Sequence, residues 1–273
     1  MPEPDSETLG YTGERMVPEK ADSVTFWEHI YRYRFAAEFV RGKRVLDIAC
    51  GEGYGTSALL RAGAASVVGV DICEESCAHA HCKYGVDIQR ADAEGMPFLD
   101  HSFDIVVSFE TIEHVQNLAV FLDECVRVLL PGGLLVLSTP NRDVYSEKGK
   151  HNPFHHDELD ERELVALLTT RFKKWQLYSQ RPKQVPWWSI YSLAGAQSPW
   201  LRIRGGWRLR KLLQTVLCPH LRGDVDEQYR RLPVEAILGE DRPFSSVVNG
   251  YSVRRWEQWK GEKPYYFIAV ARV

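Results

Sequence analysis

The sequence predicts an α/β protein: a parallel sheet with helices on both faces and a large segment inserted before the last strand. Three observations carry this. Between residues 44 and 140, short apolar runs alternate with segments of helical period. The first run opens into VLDIACGEGYGT, residues 45–56, a glycine-rich turn at the place where such sheets bind ligands. Beyond residue 182 the composition changes sharply before the strand-like PYYFIAVARV at 264–273.

Taken in order, residues 25–41 place aromatic and aliphatic side chains at helical spacing and stop at Gly42, a C-terminal glycine signal. RVLDIA at 44–49 is the first strand. TSALLRAG at 56–63 reads as a helix, SVVGVD at 66–71 as a short buried strand, and EESCAHAHCKYG at 74–85 as a helix ending on glycine. VDIQRAD at 86–92 and FDIVVSF at 103–109 are the third and fourth strands, and NLAVFLDECVRVL at 117–129 is an amphipathic helix. GGLLVLST at 132–139, after a Pro131-Gly132-Gly133 turn, is the fifth strand. DELDERELVALLTTRF at 157–172 is a helix with an acidic first turn, favourable beside the positive end of its dipole, and KKWQLYSQ at 173–180 is strand six. The domain division is therefore a cap segment at 1–24, a core at 25–182, an insert at 183–263 and the core's final strand at 264–273.

A net charge of -3 excludes general nucleic-acid binding, which calls for clustered basic residues, and no apolar run reaches the length of a membrane span. The first twenty residues carry acids where a secretion signal carries basic residues, and six cysteines without such a signal suggest reduced thiols. Both point to the cytoplasm. Oligomeric state is not readable from these features.

Gly51, Gly53 and Gly55 remove side chains so that backbone NH groups can approach a ligand. A dinucleotide fingerprint requires G-x-G-x-x-G, and Thr56 stands where its third glycine belongs. S-adenosylmethionine (SAM) has no pyrophosphate. It needs a bare loop beside its amino-acid part, a carboxylate for its ribose hydroxyls and a polar group for its adenine. Asp71, ending the second strand, and Asp92, after the third, meet the last two needs.

These segments resemble the class I SAM-dependent methyltransferases. VLDIACGEG is similar to that family's first motif, VVGVD to its second-strand acid, ADAEGMPF to its adenine loop, FDIVVSFETIEHV to its fourth strand and LLPGGLLVLSTPN to its fifth. The resemblance covers roughly residues 25–180 and the last strand. It implies a Rossmann-like, seven-stranded, mostly parallel sheet with an antiparallel last strand, and SAM as cofactor. It places Asp47, Gly51 and Gly53 at the methionine end, Asp71 at the ribose, Asp92 and the Ala93 NH at the adenine and Phe109 beside the methyl group, with Ala49 and Ile72 also among the cofactor-binding residues. Ala49 departs from the glycine common there. Asp47 also has a purely structural reading, as an acid that caps the turn through backbone NH groups.

Methyl transfer to a hydroxyl needs the acceptor aligned and its proton removed, and histidine is the natural base near neutral pH. Three histidines follow strands four and five: His114, His155 and His156. TPNRDVYSEKGKHNPFHHDEL at 139–159 and TGERMVPE at 12–19 resemble a methyltransferase subgroup associated with bacterial glycan and glycolipid assembly. The implied acceptor is a sugar hydroxyl, free or lipid-linked, with His155 as base and His156 second. His155 alternatively caps the helix beginning near Asp157, and His114 orients its loop. A phenol or quinone precursor is the other enzymatic reading, and a SAM-binding interaction protein without turnover is a third. RNA methylation is disfavoured, since Phe109-Glu110-Thr111 stands where amino-group methylation uses an N-P-P-F/Y type motif.

Cys73, Cys77, His81 and Cys82 crowd CEESCAHAHC, residues 73–82, but zinc sites use separated ligand pairs, and buried cysteines on a core helix are common; no metal is expected. The insert holds six of the eight tryptophans, and residues 184–223 carry Arg202, Arg204, Arg208, Arg210, Lys211 and Arg222 without one acid. Aromatic faces there suit an acceptor lid. The basic, aromatic stretch at 200–216 also suits peripheral contact with an anionic membrane or the diphosphate of a lipid-linked acceptor, or is simply a solvated face.

Overall fold

The apolar runs pair as their alternation requires, and each strand sends successive side chains to opposite faces. A computed structural model describes residues 15–18, 21, 23–145, 152–180, 253–255 and 263–273. Its elements are α1 (Ser23–Ala37), β1 (Arg44–Ile48), α2 (Tyr54–Arg61), β2 (Ser66–Asp71), α3 (Glu74–Tyr84), β3 (Asp87–Arg90), β4 (Phe103–Phe109), α4 (Leu118–Val128), β5 (Leu129–Pro140), α5 (Arg142–Tyr145), α6 (Glu161–Arg171), β6 (Lys174–Gln180), β7 (Arg254–Arg255) and β8 (Tyr266–Arg272).

One sheet runs in the order β3-β2-β1-β4-β5-β8-β6-β7. The strands from β3 to β5 are mutually parallel, and β8 lies antiparallel between β5 and β6. This is the predicted seven-stranded sheet with its antiparallel last strand, plus the two-residue β7 paired on β6. Leu46 and Ile48 of β1 join a core with α4 and α6 (Phe121, Leu122, Leu164, Leu168), whereas Val45 joins one with α1 and α2 (Phe26, Ile30, Leu59). The order reverses at β1 and β4, so their carboxyl ends frame a cleft, the usual ligand position in such a sheet.

Several boundaries differ from the sequence reading. α1 ends at Ala37, and the 3₁₀-type bonds Glu38 N to Phe35 O and Phe39 N to Ala36 O tighten the exit. Gly42 (φ 70°) serves the turn into β1, donating its NH to Gly63 O. β5 starts at Leu129 and runs through the Pro131-Gly132-Gly133 turn with a register shift opposite Phe103 and Ile105. α6 starts after Asp160, where Asp160 and Glu163 cap each other's backbone NH groups, so His155 caps no helix. Most of the 183–263 insert, including 200–216, lies outside the described residues, as does most of the 1–24 segment. Of the latter, Met16, Val17 and Ala21 are described and buried.

The three loop glycines have three different reasons. Gly51 (φ 55°) faces open space where a side chain would stand. Gly53 (φ 87°) is the N-cap of α2, and a Cβ there would lie 2.5 Å from Ala80 Cβ. At Gly55 a Cβ would fall 1.9 Å from Cζ of the buried Tyr33, whose ring is held edge-on by Tyr54 and Phe109. Gly55→Ala therefore destabilises the fold by about 3 kcal/mol, as overpacking against an immobile ring does. A urea midpoint equal to that of the wild-type chain would contradict this contact.

Candidate active site

A cavity of about 630 Å³ opens at the carboxyl ends of β1, β2 and β4. Ala49 and Gly51 form its floor, Asp71 and Ile72 one wall, and Asp92 and Ala93 the next. Phe109, His114, His155 and His156, which end or follow β4 and β5, also line the cavity. The sequence thus placed ten of its twelve candidate residues around one cavity.

Asp47 and Gly53 are the exceptions. Asp47 follows Val45 by two in β1 and so points toward α1, where its fully buried carboxylate accepts from Thr56 Oγ1 at 2.7 Å and Tyr33 OH at 3.2 Å. It holds the turn from beneath and is not a cavity residue. Gly53 is turned away against Ala80 and Ile88. Ala49 adopts φ 54°, a left-handed conformation that explains the preference for glycine at this position.

Burial lifts the Asp47 carboxyl to about 7, although its hydrogen bonds from Thr56 and Tyr33 pull the other way. The folded chain then keeps a proton that the unfolded chain releases near pH 4, so stability falls between about pH 4 and 7, by on the order of 4 kcal/mol. Asp47→Asn removes that slope. Urea midpoints measured from pH 4 to 8 should show the variant gaining on the wild type as pH rises; parallel curves would refute the assignment.

Asp71 Oδ2 accepts from Gly51 N at 2.8 Å and Oδ1 from Cys73 N at 2.9 Å, so one carboxylate ties the glycine turn to the start of α3. Ile72 beside it is 66% exposed, an apolar side chain left for a flat apolar partner. Asp92 Oδ1 accepts from Glu94 N, and Glu94 Oε1 accepts from Gln116 N and Asn117 N, joining the loop after β3 to the loop after β4. The buried Glu52 is bound by His79, Lys83 and Tyr84 and anchors the turn to α3. His79 and Lys83 thus use the helix that also carries CEESCAHAHC. Cys77 Sγ there meets Asp71 O and His81 Nδ1 meets Val86 O, so its residues turn to separate partners.

The histidine end is built by two loops. His156 N donates to Glu113 O at 2.7 Å, binding segment 152–158 to the loop after β4. Asn152 Oδ1 accepts from Phe154 N, which turns its amide nitrogen toward His155 Nε2 at 2.9 Å. His155 Nε2 is therefore the ring's acceptor, and Nδ1 carries the proton toward Glu158 Oε1 at 2.7 Å. His114 Nδ1 lies 3.0 Å from Phe154 O, which accepts only from a protonated nitrogen, so its Nε2 is likewise the basic one. Tyr145 stacks on His155 at 5.5 Å, and the His114 ring meets His155 edge-on at 4.9 Å. Glu113 is fully buried. Burial, reinforced by Glu110, lifts its carboxyl well above the usual carboxylate range.

Sequence reasoning missed Glu158, Glu113, Asn152, Tyr145 and His29. Glu113 adjoins His114 in a segment already singled out, and Glu158 follows His155 by three, but loop residues have no period to announce a shared direction. His29 lines the cavity from α1 with its Nδ1 3.1 Å from Tyr54 OH; burial and the neighbouring Arg32 keep its imidazole neutral. The i, i+4 spacing of His29 and Tyr33 was the available signal.

Residues 46–137 match the methyltransferase domain family. A protein of Mycolicibacterium smegmatis named as a probable S-adenosylmethionine-dependent methyltransferase is 41% identical over 178 residues, 62% of this chain and 68% of its own. The ubiquinone biosynthesis O-methyltransferase of Rhizobium johnstonii is 38% identical over 120 residues, covering 42% of this chain and 48% of that protein. Among solved structures, a SAM-dependent methyltransferase of Thermotoga maritima shares the fold at a TM-score of 0.52 and 17% identity, over 91% of this chain and 94% of its own. The open cradle at Gly51, the Asp71 carboxylate and the exposed Ile72 fit the cofactor of that family, and the chain belongs to the S-adenosylmethionine-dependent methyltransferases.

Proposed function

We propose that the protein transfers a methyl group to a sugar hydroxyl of a bacterial glycan or glycolipid intermediate. The observation that carries the hydroxyl is the Glu158–His155 pair: Nδ1 is committed to a carboxylate, which leaves Nε2 as the ring's acceptor, now held by the Asn152 amide at 2.9 Å, a place an acceptor hydroxyl would take. Bound SAM supplies an electrophilic methyl on a sulfonium. Asp71, Ile72, Asp92 and Ala93 hold the nucleoside, and Gly51 leaves room for the amino-acid part. Phe109 and Tyr145 exclude water beside the acceptor. His155 Nε2 takes the acceptor's proton, and Glu158 stabilises the resulting imidazolium.

The sugar rests on the resemblance of segments 12–19 and 139–159 to glycan-associated methyltransferases. The acceptor-lid role expected of the 183–263 insert falls mostly, and the peripheral membrane contact expected of 200–216 wholly, outside the described residues. Among the described residues no helix is long and apolar enough to cross a membrane. A phenol or quinone precursor is the second reading, favoured by the ubiquinone O-methyltransferase relative and by the rings of Tyr145, Tyr265 and Tyr266 clustered at the site.

A labelled-methyl transfer screen across sugars, lipid-linked sugars and phenols tests this. Label on a sugar hydroxyl supports it. Preferential labelling of a phenol selects the second reading, and SAM binding without transfer to any acceptor marks an interaction protein.

A further inference from the structure

We propose that Glu113, His114 and His155 form a binding site for a divalent first-row transition ion, of the Zn2+ class, at the acceptor end of the cavity. One donor atom from each side chain lies within 4.8 Å of the others, and all three residues line the cavity. Two histidines and one carboxylate make a three-ligand set that leaves positions open toward an incoming oxygen.

The surrounding hydrogen bonds point the same way. Metal-binding histidines characteristically donate their second ring nitrogen to a carboxylate or a backbone carbonyl. His155 Nδ1 faces Glu158 Oε1, and His114 Nδ1 faces Phe154 O, so both rings present a basic Nε2. Glu113 supplies the oxygen donor: it is 0% exposed, and its Oε1 has no hydrogen-bond partner among the described residues, while Oε2 accepts from Thr139. A buried carboxylate oxygen left without a donor is costly unless something cationic reaches it. Tetrahedral zinc with bonds of about 2.1 Å holds its donors roughly 3.4 Å apart, so side-chain movement of about an ångström closes the set. Asn152 then yields its place on His155 Nε2. Imidazole donors favour zinc-like ions over Mg2+.

The inference rests on the reading of this cavity end as the acceptor site and changes what His155 does there. A hydroxyl coordinated by the ion loses its proton to water. Its oxygen pair forms the new O–C bond to the methyl as the C–S pair returns to sulfur, giving the methyl ether and S-adenosylhomocysteine. His155 is then a ligand, and Glu158 its positioning residue.

The test titrates ZnCl2 and MnCl2 calorimetrically into the chelator-stripped full chain. The expected result is one Zn2+ per chain, with affinity lowered about 100-fold or more in Glu113→Gln and in His114→Ala, and about 10- to 100-fold in Glu158→Gln. Unchanged SAM affinity in each variant establishes that it is folded. Absence of stoichiometric Zn2+ binding, or wild-type Zn2+ affinity in Glu113→Gln and His114→Ala, overturns the site. Full-rate methylation of a hydroxyl by the stripped chain also overturns it and leaves the proposed function standing. Zn2+ binding that follows these variants, in a chain that methylates no hydroxyl, upholds the site and removes that function.

Discussion

His155→Ala lowers the methyl-transfer rate constant by about 10²- to 10⁴-fold at saturating SAM, the range expected when a positioned acid–base group is lost. The same fall follows whether Nε2 takes the proton itself or holds an ion that acidifies the acceptor. SAM affinity should change little, because His155 follows β5, across β1 and β4 in the sheet order from Asp71 at the end of β2 and Asp92 after β3. His156→Ala is the comparison. Its backbone NH does the anchoring, on Glu113 O, and survives the substitution, so a small effect is expected. The measurement is single-turnover transfer with calorimetric SAM binding alongside. Full turnover in His155→Ala, with loss in His156→Ala, would move the base to the neighbouring ring.

Asp71→Ala weakens SAM binding by about 100-fold. The carboxylate does two things at once: it faces the cavity, and it accepts the Gly51 and Cys73 NH groups that fix the turn. Hydrogen bonds to a charged group are each worth about 1.5–3 kcal/mol, and about 2.8 kcal/mol is a factor of 100 in affinity. Asp71→Asn keeps one acceptor oxygen and should fall between the two. Calorimetry reads this directly, and an Asp71→Ala chain that binds SAM as tightly as wild type would refute the cofactor assignment.

How much of this was readable in the sequence depends on whether a residue sits in a periodic element. Period alone placed β1, β2, β4, β6 and β8 correctly, and Gly85 (φ 64°) does cap α3. The acidic run DELDE offered several helix starts, and only Asp160 has a Glu three residues on that returns its hydrogen bond. Asp47 was open between ligand and structural acid, and the two-residue alternation with Val45 already decided for α1. The histidine end was not readable. CEESCAHAHC drew attention as a metal-like cluster because its residues are close in sequence, yet they turn to different partners. The trio that converges comes from two loops, with Glu113 and His114 on one and His155 on the other.

Between β6 and β8 lie residues 181–265, yet β8 is the strand that joins β6 to β5. On the ribosome, β1 to β6 emerge with the β5 edge bare and β6 without its place in the sheet. Until residues 266–272 follow, that edge is a template for pairing with another chain, and closing so distant a contact is slow. Yield of folded protein in cells should therefore respond to chaperone supply during translation, a demand set by strand order and independent of the stability finally reached.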